Sequence, residues 1–274
     1  MIYTNTNKNI IFNSLQLMTN IVKAIVLFFI TSLLIAACSN DELTPLYEEQ
    51  KAGKVVIRGY NGAQDSIQVS LNGKLLVVDK RNAFLKKTEN NYEFVFYGQS
   101  SKTVVISLKK TKQILHSYTF TTAKPVDTVS FYTKENVWIE NVLANKPGTL
   151  SAAGNTGYKF IFPSVNQYSK SGYNGTLDAI LRKTNGQQIG RIENIKKDRF
   201  STFLEFPFSL PPIVNVELVK HGTDESYVPG RKVSFLMVMQ KNKSKLIVLE
   251  EKADANGAFS GVEGSINLTD YFSF

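Results

Sequence analysis

The chain has 274 residues, a formal net charge of +9, one cysteine and two histidines. A lone cysteine excludes an intramolecular disulfide and a thiolate zinc site, and two histidines fall short of a histidine-rich catalytic zinc centre. The basic balance raises nucleic acid as a partner class, but the clusters Lys86-Lys87, Lys109-Lys110, Lys196-Lys197 and Lys241 to Lys245 are scattered over strand flanks and turns. There they read as solubilising charge.

In chain order, the first feature is an apolar run over residues 24–37, preceded by Lys23 and free of acidic residues until Asp41. About 14 residues is short for a membrane-spanning helix of about 20 and suits the apolar region of a secretory leader. Met1 and Met18 both serve as candidate starts. The run ends in Leu34-Ile35-Ala36-Ala37-Cys38. This resembles the lipobox of bacterial lipoproteins. The resemblance implies a signal peptide over 1–37, cleavage before Cys38, acylation of its thiol and a membrane partner through that lipid. More than one acyl chain makes such an anchor stable. Ser39-Asn40-Asp41-Glu42 is similar to the export signal of surface lipoproteins in the Bacteroidota. Together these imply the outer membrane, with display at the cell surface, and they remove nucleic acid as the reading of the basic charge. Residues 38–52 are polar, acidic and punctuated by Pro45, and read as a tether.

From Gly53 the texture changes to short β-branched and aromatic runs between turn residues. Strands are expected at 54–60, 66–71, 92–97, 103–108, 114–121 and 128–132. Asn72-Gly73 signals a type I′ hairpin. A two-residue turn there pairs Leu71 with Lys74, Val69 with Leu76 and Ile67 with Val78, and puts the apolar members on one face. Lys134-Glu135-Asn136 reads as a boundary. Val137-Trp138-Ile139 then opens a second region, with strands expected at 158–162, 176–183, 187–194, 200–206, 213–220, 232–240, 245–251 and 267–272. Asn185-Gly186 places Ala179 and Leu181 on the face of Ile192, and leaves Asp178, Arg182, Arg191 and Glu193 for solvent. The segment Asp254-Ala255-Asn256-Gly257-Ala258-Phe259 resembles a hairpin of bacterial immunoglobulin-like domains. The expected fold class is all-β: two antiparallel, immunoglobulin-like β-sandwich domains over 53–135 and 136–274. The two halves show no obvious sequence repeat.

No catalytic signature emerges. His221 and Asp224 share a loop, but Ser226 lacks a nucleophile elbow. Glu193, Glu205 and Glu217 supply candidate carboxylates for a glycosidase without evidence that any two converge. No metal or cofactor is expected. The stretch from Tyr158 to Tyr173 is longer than a tight hairpin needs and holds Asn166, Tyr168 and Tyr173. Tyr158, Asn166, Tyr168 and Tyr173 are therefore the candidate ligand-binding residues, suited to sugar, while Trp138 reads as core. The leading expectation is a non-catalytic binding or scaffold module for glycan or an envelope protein. The alternatives are a fimbrial or assembly subunit and, behind it, a hydrolase.

Overall fold

The computed structural model describes residues 16, 18–23, 25–26, 50–77, 80–98, 101–134 and 137–273. It divides into a unit at Met1–Glu49 and a compact unit at Gln50–Phe274. Residues 16, 18–23, 25 and 26 are helical. The rest of the expected leader, Cys38 and the tether up to residue 49 lie outside the described residues.

The compact unit is almost entirely β-strand. Its first half holds β1 (Gln50–Asn61), β2 (Ile67–Leu71), β3 (Lys74–Leu75), β4 (Lys87–Tyr97), β5 (Lys102–Leu108), β6 (Ile114–Phe120), β7 (Val126–Lys134) and β8 (Val137–Glu140). These form one sheet in the order β4-β1-β7-β8 and a second in the order β3-β2-β5-β6. From Gly53 onward β1 buries every second residue, as a strand with one face on a core must. Val55, Ile57, Phe96 and Phe131 from the first sheet pack with Ile67, Val69, Val104 and Ile106 from the second.

The second half holds β9 (Asn155–Ile161), β10 (Leu177–Lys183), β11 (Gln188–Ile195), β12 (Leu204–Pro207), β13 (Ile213–Lys220), β14 (Ser234–Val238), β15 (Lys243–Ala253) and β16 (Phe259–Asn267). Its sheets run β12-β9-β15-β16 and β11-β10-β13-β14. Adding eight to each label of the first half reproduces the second. The repeat that the residues conceal is thus present in topology. The sheets are antiparallel-rich, as expected of the two β-sandwiches, with one parallel pairing in each half. In each half the opening strand lies parallel to the seventh, β1 beside β7 and β9 beside β15.

The turn chemistry reads through to the structure. Asn72 and Gly73 adopt φ of 47° and 78°, the two positive values a type I′ turn requires, and Leu71 pairs with Lys74. Val78 lies outside the described residues. At the Asn256-Gly257 turn, the Asp254 carboxylate accepts from the N–H groups of Asn256 and Ala258.

Three expected elements differ. Val137–Ile139 does not open the second half. It pairs back on β7, with Tyr132 opposite Ile139. Residues 200–203 are not strand, and only Leu204–Pro207 pairs, with β9. Leu268–Phe272 is a short helix, because Asn267 caps it by accepting from the Thr269 N–H. The helix turns Leu268 and Phe272, four residues apart, toward the same core. That third core is the seam between the halves, where Tyr132, Ile139 and Val142 meet Ile161, Leu246, Val248, Leu268 and Phe272. Polar groups cross it too. Arg58 donates to the Phe272 carbonyl at 3.1 Å, Tyr271 donates to the Gly59 carbonyl at 3.1 Å, and Lys134 pairs with the buried Glu250 at 2.5 Å.

Candidate functional site: a cleft at the seam of the two halves

The long loop between β9 and β10 is folded around one carboxylate. Glu251, near the end of β15, is 3% exposed. It accepts from the backbone N–H groups of Asn166, Tyr168 and Ser169 at 3.0, 2.7 and 2.9 Å. The Ser169 hydroxyl donates at 2.6 Å and the Tyr227 hydroxyl at 2.8 Å. Burial first, and the Glu251 charge beside it, push the Tyr227 phenol far above its ordinary pKa, which keeps it a donor. Asn166 sits at φ 65°, a left-handed conformation that Asn tolerates better than most residues. From there its amide donates to the Tyr173 carbonyl at 2.7 Å and its oxygen accepts from the Ser171 hydroxyl at 2.6 Å. Tyr173 donates from its phenol to the Thr176 carbonyl at 2.9 Å. Its ring meets Gly175 so closely that a Cβ there would lie 2.3 Å from the Tyr173 hydroxyl oxygen.

This preformed loop makes one wall of a cleft of about 620 Å³. Asn166, Tyr173 and Asn174 line it from the loop, Trp138 from β8 of the first half, and Lys196 and Lys197 from the turn after β11. Trp138 is fixed by stacking on Phe131 at 4.4 Å and on His116 at 5.1 Å. The Lys196 carbonyl accepts from the Phe162 N–H at 2.9 Å, so the basic turn is tied to the base of the same loop.

Of the four candidate residues, the structure brings Asn166 and Tyr173 to the cleft. Tyr168 is half-buried and does not line it; its backbone serves Glu251. Tyr158 is corrected outright. It is wholly buried, with its ring 5.9 Å from Phe206 in the second core. The cause is the position of β9, which lies between β12 and β15 and buries Thr156, Gly157, Tyr158, Phe160 and Ile161. Trp138, Lys196 and Lys197 were not expected as site residues. The only signal for the lysines was a charged turn between two strands.

The other chemical candidates are accounted for by packing. Asp178, expected in solvent, is 0% exposed. It accepts from His221 Nδ1 at 2.8 Å, Arg191 at 3.1 Å and the N–H groups of Gly222 and Asn194 at 3.0 and 3.2 Å. His221 is thus oriented by Asp178, while Asp224 pairs with Arg191 instead. Glu205 accepts from Ser151 and Asn155, hydrogen bonds that hold its carboxyl below the usual range. Glu217 pairs with Arg182 and Lys232. Among the described residues, no group of three or more His, Cys, Asp and Glu side chains is placed to hold a metal ion.

No protein family model matches the chain, and no curated protein matches it. Solved structures are similar only distantly. The Bacillus anthracis TIE protein is 8% identical with a TM-score of 0.23, over 73% of this chain and 34% of that one. A family-26 carbohydrate-binding module from Eubacterium rectale, solved with maltoheptaose, is 9% identical with a TM-score of 0.20, over 78% and 97%. A protein from Bacteroides ovatus described as a candidate adhesin is 9% identical with a TM-score of 0.22, over 78% and 93%. At such scores both the fold and the ligand must be argued from this chain's own residues.

Proposed function

We propose that the protein is a non-catalytic glycan-binding module, held at a bacterial envelope by a lipid on Cys38. The observation that carries the binding reading is the cleft itself. Its volume of about 620 Å³ falls within the range of small-ligand sites, about 300–1,000 Å³. Its walls combine aromatic rings, side-chain amides and cations. A pyranose presents C–H faces and hydroxyl edges, and such walls offer apolar and hydrogen-bonding surface to both. The loop wall is already ordered by Glu251, so binding loses little conformational freedom there.

Asn174 is exposed at the cleft, and its removal disturbs no hydrogen bond described above. Asn174→Ala and Tyr173→Ala are each expected to weaken glycan binding by the full chain about tenfold or more, a difference of about 1.4 kcal/mol. A glycan array followed by calorimetry on the best ligand reads this out. Wild-type affinity in both variants would remove the cleft as the site. For the anchor, intact-mass measurement of protein from its native host is expected to give an N-terminal Cys38 carrying acyl chains. A free thiol at Cys38 would refute it.

A further inference from the structure

We infer that the ligand of this cleft is an acidic glycan, a sugar carrying carboxylate or sulfate, and that Lys196 and Lys197 are the groups that select it. The inference rests on the glycan reading above and names the ligand class within it.

Lys54, Lys124, Lys134, Lys220, Lys232 and Lys252 each pair with an acidic side chain. Lys196 and Lys197 line the cleft, are exposed, and have no ion pair or side-chain hydrogen bond among the described residues. They are not held loosely in the chain. Ile195 before them is buried in the second core, and the Lys196 carbonyl is bonded to the Phe162 N–H. Two cations on a pinned turn thus face a wall of ring and amide groups, and among the described residues Asp198 is the sole acid lining the cleft. A neutral sugar leaves this positive excess unanswered. An anionic substituent answers it with charge-assisted hydrogen bonds, which are shorter and stronger than neutral ones. The lysines sit at an open mouth, so their attraction is screened by salt.

The test is an array holding each acidic oligosaccharide beside its carboxyl-reduced or desulfated form, probed with the full chain and with the Lys196→Ala, Lys197→Ala double variant. The wild type is expected to prefer the acidic member of a pair at least tenfold and to lose that preference in 0.5 M salt, where the screening length is only a few ångströms. The double variant is expected to bind both members at the neutral-sugar level. Equal binding of both members, unchanged in the double variant, overturns the acidic preference and leaves the glycan reading standing. Binding to no member of any pair overturns both. Because both lysines are exposed, the thermal midpoint of the double variant is expected to match the wild type, and circular dichroism checks that any loss is not one of folding.

Discussion

Replacing Glu251 with alanine is expected to cost about 4 kcal/mol of stability and to abolish the proposed glycan binding, although Glu251 does not line the cleft. Five donors converge on this carboxylate: three backbone N–H groups and two hydroxyls. Its removal leaves them around a vacated buried position. An unsatisfied buried polar group costs about 1–3 kcal/mol, though water entering from the loop side restores part of this. For a unit of this size the thermal midpoint falls by about 10 °C. The loop should also open. Lys170, exposed at its tip, then becomes a preferred trypsin site, and mass spectrometry of the fragments reports it. Glu251→Gln keeps the shape but turns an amide NH2 toward groups that are themselves donors, so it should recover only part of the loss. A midpoint within 2 °C of wild type, with Lys170 still protected, would show that Glu251 does not organise the loop.

The second large effect belongs to Asp178. Burial alone would raise its pKa. Hydrogen bonds from Gly222, His221, Arg191 and Asn194 outweigh that and hold the carboxyl below its ordinary value. The folded state therefore binds this proton less readily than the unfolded chain does. The stabilisation is complete above about pH 4, where an unfolded Asp is ionised, and is lost as pH falls through the folded pKa. Asp178→Ala is expected to cost about 3 kcal/mol at neutral pH. Arg191 retains Asp224, which keeps the figure from being larger. Asp178→Asn should destabilise at neutral pH and flatten the stability profile on the acid side. Denaturant titrations at several pH values measure both. An unchanged acid slope in Asp178→Asn would mean that this carboxylate does not carry the dependence.

Both carboxylates show what was hidden in the sequence. Glu250 and Glu251 stand side by side near the end of a strand, and Asp178 falls on the face that alternation assigns to water. Read locally, all three are surface residues. They are buried because their partners arrive from far along the chain: Asn166 is 85 residues from Glu251, Gly222 44 from Asp178 and Lys134 116 from Glu250. The hairpins were legible for the opposite reason, since Asn72-Gly73 states its backbone requirement within two residues. The strands were legible by alternation, but the parallel pairings were not, because nothing in β1 alone says that it lies beside β7. The cleft was half legible. A long polar loop with Asn166 and Tyr173 stood out, whereas Trp138, fixed by Phe131 and His116, gave no sign that it faces that loop.

The parallel neighbours also decide how the molecule answers a pull. β1 enters the first half at Gln50, and β7 leaves by the opposite end, since the two run in the same direction from Lys54 beside Val126 to Asn61 beside Thr133. Tension applied between the N-terminal end of β1 and the C-terminal end of β7 runs along these strands rather than across them. After the four residues of β8 peel from β7, the remaining ladder must slip as a whole, with its hydrogen bonds loaded together. Strands drawn apart from one end would instead release those bonds one after another. The second half repeats the arrangement in β9 and β15. In each half, therefore, tension between the start of the opening strand and the end of the seventh would load the pair in shear.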